Sequence, residues 1–307
     1  MPALRALRRT AGALTESPVL FVGGLVAALV VAPQTALGFV AQLLDSPLGG
    51  AAGVVGNGLT LLTFFITPAV AAGVLGMARE ALEGGDTSLG TFGGVARERY
   101  VSMLGAFVLR VGITLVLGLA ALIVTVVGLL VAALFVDVGP TAAIATDPSR
   151  LIQPDVVAVA ALTALVAALV FYGPLFFLQF FHVAVATEDA GAVEGYRQSY
   201  RLVRGNVVPA LGYSAVRVLV GLAAALPPLL VTAVQFRRAF AAGVGPAATG
   251  GALLSPLQVA GLTGFVLAAQ TAVTPFQLTY ARAFYAAADA DDGTDGAFGA
   301  DSPALRD

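Results

Sequence analysis

Residues 101–136 read VSMLGAFVLRVGITLVLGLAALIVTVVGLLVAALFV, and Arg110 is the only charged residue among them. At ~1.5 Å per helical residue this run is long enough to cross a hydrocarbon core of ~30 Å. Lipid offers a backbone no hydrogen-bond partner, so the crossing segment must be a helix. Five further apolar runs flank it, approximately Val19 to Leu44, Val54 to Ala78, Val156 to Ala186, Val207 to Val234 and Leu257 to Tyr280. Val101 to Val136 and Val156 to Ala186 exceed the necessary length and are expected to tilt, kink or project past the headgroups. Across all 307 residues 58% are apolar and 11% charged, against roughly 25% charged in a soluble domain. The pattern is that of an all-α fold, a polytopic six-helix transmembrane bundle.

Arginine placement orients the bundle. Arg5, Arg8 and Arg9 precede the first run, Arg79, Arg97 and Arg99 follow the second, Arg197, Arg201 and Arg204 follow the fourth, and Arg282 and Arg306 follow the sixth. The opposite connections hold only Arg150, Arg237 and Arg238. By the positive-inside bias both termini are expected to be cytoplasmic, in the cell membrane. A cleavable signal peptide fits less well, because the first apolar run is too long and lacks a clear small-x-small cleavage site. The formal charge of -2 conceals an acidic end: Asp289, Asp291, Asp292, Asp295, Asp301 and Asp307 face a single base, Arg306. Residues 289–307 are expected to form a disordered acidic cytoplasmic tail. All sixteen basic residues are Arg, which with the Asp-rich tail gives the composition of a salt-adapted proteome.

The membrane domain, residues 1–288, reads as three copies of one unit, a basic amphipathic segment followed by two apolar runs, over approximately 2–80, 88–189 and 191–288. Leu4, Leu7, Ala11 and Leu14 share one helical face, and Val193, Tyr196, Tyr200 and Val203 repeat its spacing. Arginines flank each face, as in a helix lying along anionic headgroups. The middle copy, around Leu89, Phe92 and Val95, is weaker. Leu104-Gly105 precedes Arg110 at the same offset as Leu211-Gly212 precedes Arg217. Pro68, Pro174 and Pro275 interrupt the even runs, each followed by small residues and then acid: Met77-Ala78-Arg79-Glu80, Ala186-Thr187-Glu188-Asp189 and Ala287-Ala288-Asp289.

The linker Glu188-Asp189-Ala190-Gly191-Ala192-Val193-Glu194-Gly195-Tyr196-Arg197-Gln198-Ser199-Tyr200-Arg201-Leu202-Val203-Arg204-Gly205-Asn206 resembles that of a broad family of uncharacterised prokaryotic and archaeal six-span membrane proteins. It is similar also to the membrane domain that precedes some glycerophosphodiester phosphodiesterases. The resemblance covers about residues 1–288 and implies a fold and a membrane location, without a settled activity. No soluble catalytic domain is expected after the last run, so hydrolase activity is not carried over.

Arg110 and Arg217 are the most costly residues to place. Counting from Tyr100 puts Arg110 ~15 Å into the bilayer, near its midplane, where a charge costs about 2.5–3.5 kcal/mol on insertion scales. Each is expected to face the bundle interior, a water cavity or a headgroup reached by snorkelling. Candidate partners are Gln179 and His182 in the fourth run, Gln270 and Gln277 in the sixth, and carbonyls released at the helix breaks of Pro68, Pro174 and Pro275. Together they suggest an anion or lipid-headgroup site; arginines that snorkel or tie helices together are the other reading. Gln270, Thr274 and Gln277 fall at i, i+4 and i+7, a polar stripe that must meet a helix or water.

With no Cys and only His182, disulfides, thiolate chemistry and a multi-histidine zinc site are excluded, and no metal or cofactor is expected. No G-x-S-x-G, H-E-x-x-H or phosphate-binding Gly-Lys loop occurs, so no catalytic residue is assigned and no enzyme is expected. Two functions remain in view: a non-enzymatic partner or organiser of membrane components, and a small transporter or lipid-handling protein with a polar cavity among the Pro-broken runs. Expected partners are membrane lipids, anionic headgroups among them, and another membrane protein, with no nucleic acid.

Overall fold

The computed structural model describes residues 2–40, 48–135, 154–241 and 255–291, and among them regular structure is entirely helical. The helices are α1 (Pro2–Glu16), α2 (Val19–Val40), α3 (Leu48–Leu82), α4 (Leu89–Phe135), α5 (Pro154–Phe177), α6 (Phe181–Thr187), α7 (Ala192–Gly205), α8 (Val207–Ala241) and α9 (Pro256–Asp291). Six segments are long and apolar enough to span a membrane: Val19–Gly38, Val54–Leu82, Leu89–Ala132, Pro154–Thr187, Val207–Val234 and Leu257–Ala290. The chain is a multi-pass helical membrane protein. Arg150, Arg306, the connection 136–153 and the tail from 292 lie outside the described residues.

The chain divides into two compact units, Met1–Leu104 with Phe180–Asp307, and Gly105–Gln179. In the first, α9 is the central strut and packs on α2, α1, α3 and α8, while α2 packs on α3 and α6 on α7. Leu20, Met77, Ala78, Ala81 and Ala13 form a buried cluster where α1, α2 and α3 meet. Phe92 and Val95 at the start of α4 fit notches that Gly73 and Gly76 leave in α3. The second unit comprises the rest of α4 with α5, which touch where Gly128 meets Thr163.

Several boundaries differ from the sequence reading, each for a local reason. The fourth run is two helices, not one. α5 ends three residues after Pro174, and Leu178–Phe180 form a turn before α6. The Phe180 N–H, which a continuous helix would aim at the Phe176 carbonyl, is donated to the Ser199 hydroxyl at 2.9 Å in a buried bond. Pro68 and Pro275, read as breaks, are passed without interruption by α3 and α9. The middle amphipathic segment is not a separate helix: residues 89–135 form one helix of 47 residues. Nothing between Arg99 and Val101 stops it, whereas Ser17-Pro18 separates α1 from α2 and Gly205-Asn206 separates α7 from α8. Finally, α9 continues to Asp291, three residues into the segment expected to be disordered.

Candidate functional site

Segments that follow the three prolines come together. α3, α6 and α9 present Arg79 and Glu83, Glu188 just past Thr187, and Arg282 at neighbouring positions. Arg282 is largely covered and bonds Glu188 at 3.4 Å and Glu83 at 3.8 Å. Arg79 bonds Glu83 at 3.1 Å and donates from Nη1 to the Thr187 carbonyl at 3.0 Å. That last bond serves one of the carbonyls a helix leaves open at its C-terminus, where a cation also suits the dipole. Glu80 accepts from the Thr91 hydroxyl at 2.7 Å, which ties in the start of α4. Most of the carboxylates are half exposed, so each pair is screened; the lattice fixes geometry more than it adds stability.

Asp189 completes this end. It sits in the left-handed region at φ 56°, a conformation Asp tolerates better than most residues, and its carboxylate accepts from Arg99. That hydrogen bond, with the nearby positive charge, holds the carboxyl below its usual range. A lowered carboxyl stabilises the fold above its unfolded value of ~3.9 and ceases to do so as pH falls through the folded value. Asp189→Asn, which keeps the tolerance for positive φ, is therefore expected to lower Tm slightly at pH 7 and by less as pH drops below ~4. A deficit that stays constant or grows on acidification would contradict this pairing.

Beneath the ion pairs lies an aromatic stack. Phe180 stacks on Phe284 with centroids 5.2 Å apart, and Tyr213 contacts Phe180 at 4.8 Å, Tyr280 at 4.8 Å and Phe284 at 5.0 Å. All four rings are fully buried. The Tyr280 hydroxyl donates to the Ala3 carbonyl at 3.3 Å, fastening α1 to α9. Phe181 stacks on Tyr196 at 4.6 Å and does the same for α7.

The amphipathic helices use different faces from those read in the sequence. On α1 the protein-facing side is Ala3, Ala6, Thr10 and Ala13, whereas Leu4 is exposed and Ala11 lies open beside it. On α7 the buried side is Gly195, Tyr196, Ser199, Leu202 and Val203, whereas Val193 and Tyr200 point outward. On α1 small residues let the helices approach closely and take the protein contact, whereas on α7 Tyr196, Leu202 and Val203 turn inward beside Gly195 and Ser199.

The expected polar residues are distributed over both units. Arg217 is half-buried on α8 and hydrogen-bonds the Tyr213 hydroxyl one turn earlier. Gln270, Thr274 and Gln277 line a cleft of about 320 Å³ whose other wall is Gly221, Ala224, Ala225 and Pro228 of α8. His182 meets Phe181 edge-on at 5.4 Å. Arg110 and Gln179 belong to the second unit, where Arg110 is exposed on α4 and Gln179 is half-buried. Among the described residues, no three His, Asp or Glu side chains cluster in a way that could hold a metal ion. The sequence reading missed the ion lattice as a unit and the Phe180–Tyr213–Tyr280–Phe284 stack; the repeated small-then-acid stretches were the signal for the first.

No curated protein and no solved structure matches the chain. One family model does, over residues 1–288. That span covers every described helix but the last few residues of α9, and the chain therefore belongs to the family of the domain of unknown function DUF7847.

Proposed function

We propose that this chain is a non-enzymatic organiser of membrane components, which gathers lipids and a protein partner around a rigid platform. The observation that carries the reading is the way α1 and α7 divide their surfaces. Each gives one face to the bundle and turns Leu4, or Val193 and Tyr200, outward beside exposed arginines: Arg5, Arg8 and Arg9 on α1, Arg197, Arg201 and Arg204 on α7. A surface of large apolar groups edged with guanidinium suits the boundary between acyl chains and anionic headgroups. In this reading the platform faces the cytoplasm, both termini with it, in the cell membrane. The short–long–long order of α1–α3 and α7–α9, with the meeting of segments that follow the three prolines, supports a threefold internal repeat. The likeness to the domain preceding some glycerophosphodiester phosphodiesterases is then a likeness of scaffold, with no catalysis implied.

The alternative is a small transporter or lipid-handling protein. The α8–α9 cleft favours its lipid-handling half, while the ion-paired, ring-filled end of the first unit argues against a path through that end.

The absence of native Cys makes site-directed labelling the direct test. Spin labels at Leu4, Val193 and Tyr200 are expected to report an apolar interfacial setting, and labels at Arg8 and Arg197 a wetter one. Equal water accessibility at all five would sink the platform. A membrane-impermeant thiol reagent applied to intact cells is expected to reach a Cys at Thr146 and spare one at Arg197; the reverse would invert the orientation. Tyr196 and Ser199 are unsuitable positions because both are buried.

A further inference from the structure

We infer that the cleft between α8 and α9 binds the oxyanion head of a membrane amphiphile, which enters sideways from the lipid with its chain trailing along the helices. The cleft has two unlike ends. Gly221 and Gln277 mark one, where the Gln277 amide nitrogen lies 3.9 Å from the position a Gly221 Cβ would take. Arg217 is one turn from Gly221 and on the same face of α8, so it stands just beyond the lining at this end, its guanidinium on the Tyr213 hydroxyl. The other end is apolar, built from Pro228, Val266 and Ala269. All three are half-buried, which gives an acyl or isoprenyl chain a surface to follow.

Charge selects the head. No acid occurs anywhere from Val207 to Ala281, and α2, which also packs on α9, carries none between Val19 and Val40. Arg217 thus brings a positive charge to membrane depth with the neutral Tyr213 hydroxyl as its described partner. The amides add donors: among the described residues Gln270 is engaged only through its Oε1, which accepts from Thr274 at 3.4 Å. A carboxylate or phosphate accepts from guanidinium and amide N–H together, and its negative charge offsets the arginine. A volume of about 320 Å³ equals roughly ten waters at ~30 Å³ each. It holds a head and the first part of one chain, with the remainder left in the bilayer. The arginine end of the cleft is also the end nearer the aromatic stack and α1, so the head would point toward the platform, as bilayer polarity requires.

This site is separate from the α1 and α7 surfaces, and neither depends on the other. The test is equilibrium binding of radiolabelled palmitate, phosphatidate and hexadecanol to the delipidated full-length protein in non-ionic detergent. The wild-type protein is expected to retain one acid-headed molecule and to bind hexadecanol far more weakly. Arg217→Gln is expected to weaken acid binding about 10- to 100-fold, the usual range for losing a hydrogen bond to a charged group, and to leave hexadecanol unchanged. Gly221→Leu, whose Cβ would meet the Gln277 amide only at ordinary contact distance, fills the cleft without disturbing the helix and is expected to abolish retention of both acids. Retention of palmitate alone identifies a single-chain acid as the occupant, and of phosphatidate alone a phospholipid head. Equal binding of acid and alcohol by the wild-type protein would overturn the site, as would wild-type retention by the folded Gly221→Leu variant.

Discussion

Phe180→Ala is expected to destabilise the protein by about 3 kcal/mol, the low end of the ~3–5 kcal/mol range for truncating a buried Phe in a soluble core. The ring is fully buried and touches Tyr213 and Phe284, which come from two other helices. Part of the soluble-protein figure is transfer out of water, and that part shrinks when the unfolded chain stays in lipid. The lost dispersion contacts and ring geometry remain, because no neighbour can collapse into the gap without breaking the stack. The Phe180 N–H would still reach Ser199, so the turn survives and the loss is one of packing. Thermal unfolding in detergent, followed by size-exclusion, would check this. Phe65→Ala on the exposed side of α3 serves as the neutral comparison. A Phe180→Ala melting point within about 2 °C of wild type would show that the stack is not a structural centre.

How far the sequence reveals this fold depends on which property is asked of it. The six spans were legible because apolar length is a property of each segment alone. The faces of α1 and α7 were not, because periodicity marks a face as apolar without saying whether lipid or protein meets it. Leu4, Leu7, Ala11 and Leu14 form a true stripe, yet the neighbouring small stripe of Ala3, Ala6, Thr10 and Ala13 is the one that binds the bundle. Tyr196 shows the converse: grouped with Val193 and Tyr200 by spacing, it turns inward because Phe181 offers it a ring to stack on. Pro174 signalled a break in the fourth run, but the turn at Leu178–Phe180 was not legible, since the competitor for the Phe180 N–H is Ser199, nineteen residues away.

The candidate site was legible in fragments. Gln270, Thr274 and Gln277 share a stripe by spacing alone, and the structure places that stripe on a cleft. Arg217 was flagged by its cost, but its tie to Tyr213 follows from the i, i+4 geometry of α8 only once Tyr213 is anchored by Tyr280 and Phe284. The small-then-acid stretches after each proline announced themselves as a repeat. That Arg79 and Glu188 of two of them join Glu83 and Arg282 in one lattice depends on helix packing, which no local pattern encodes.

Gly24→Leu is expected to cost at least the ~1–3 kcal/mol typical of overpacking, and to exceed the effect of any substitution on the exposed side of α2. Pro275 has no N–H, so it leaves the Thr271 carbonyl, four residues earlier, without its helical partner. The structure sets Gly24 of α2 against that site. A Cβ there would collide with the Thr271 oxygen and lie 2.7 Å from Pro275 Cδ. Backbone and a proline ring cannot swing aside as a flexible side chain can, so the helices themselves would have to separate. In Gly24 the hydrogen in place of Cβ points at the carbonyl, a weak Cα–H···O contact worth ~0.5–1 kcal/mol. The proline thus opens a carbonyl for helix packing rather than for a ligand. Gly24→Ala is expected to lower Tm and Gly24→Leu to prevent recovery of folded protein in detergent. Pro275→Ala tests the link from the other side: it restores an N–H for the Thr271 carbonyl and removes the ring, so Gly24→Ala should be milder in that background. Equal costs of Gly24→Ala with and without Pro275 would show that α2 and α9 do not meet through this contact.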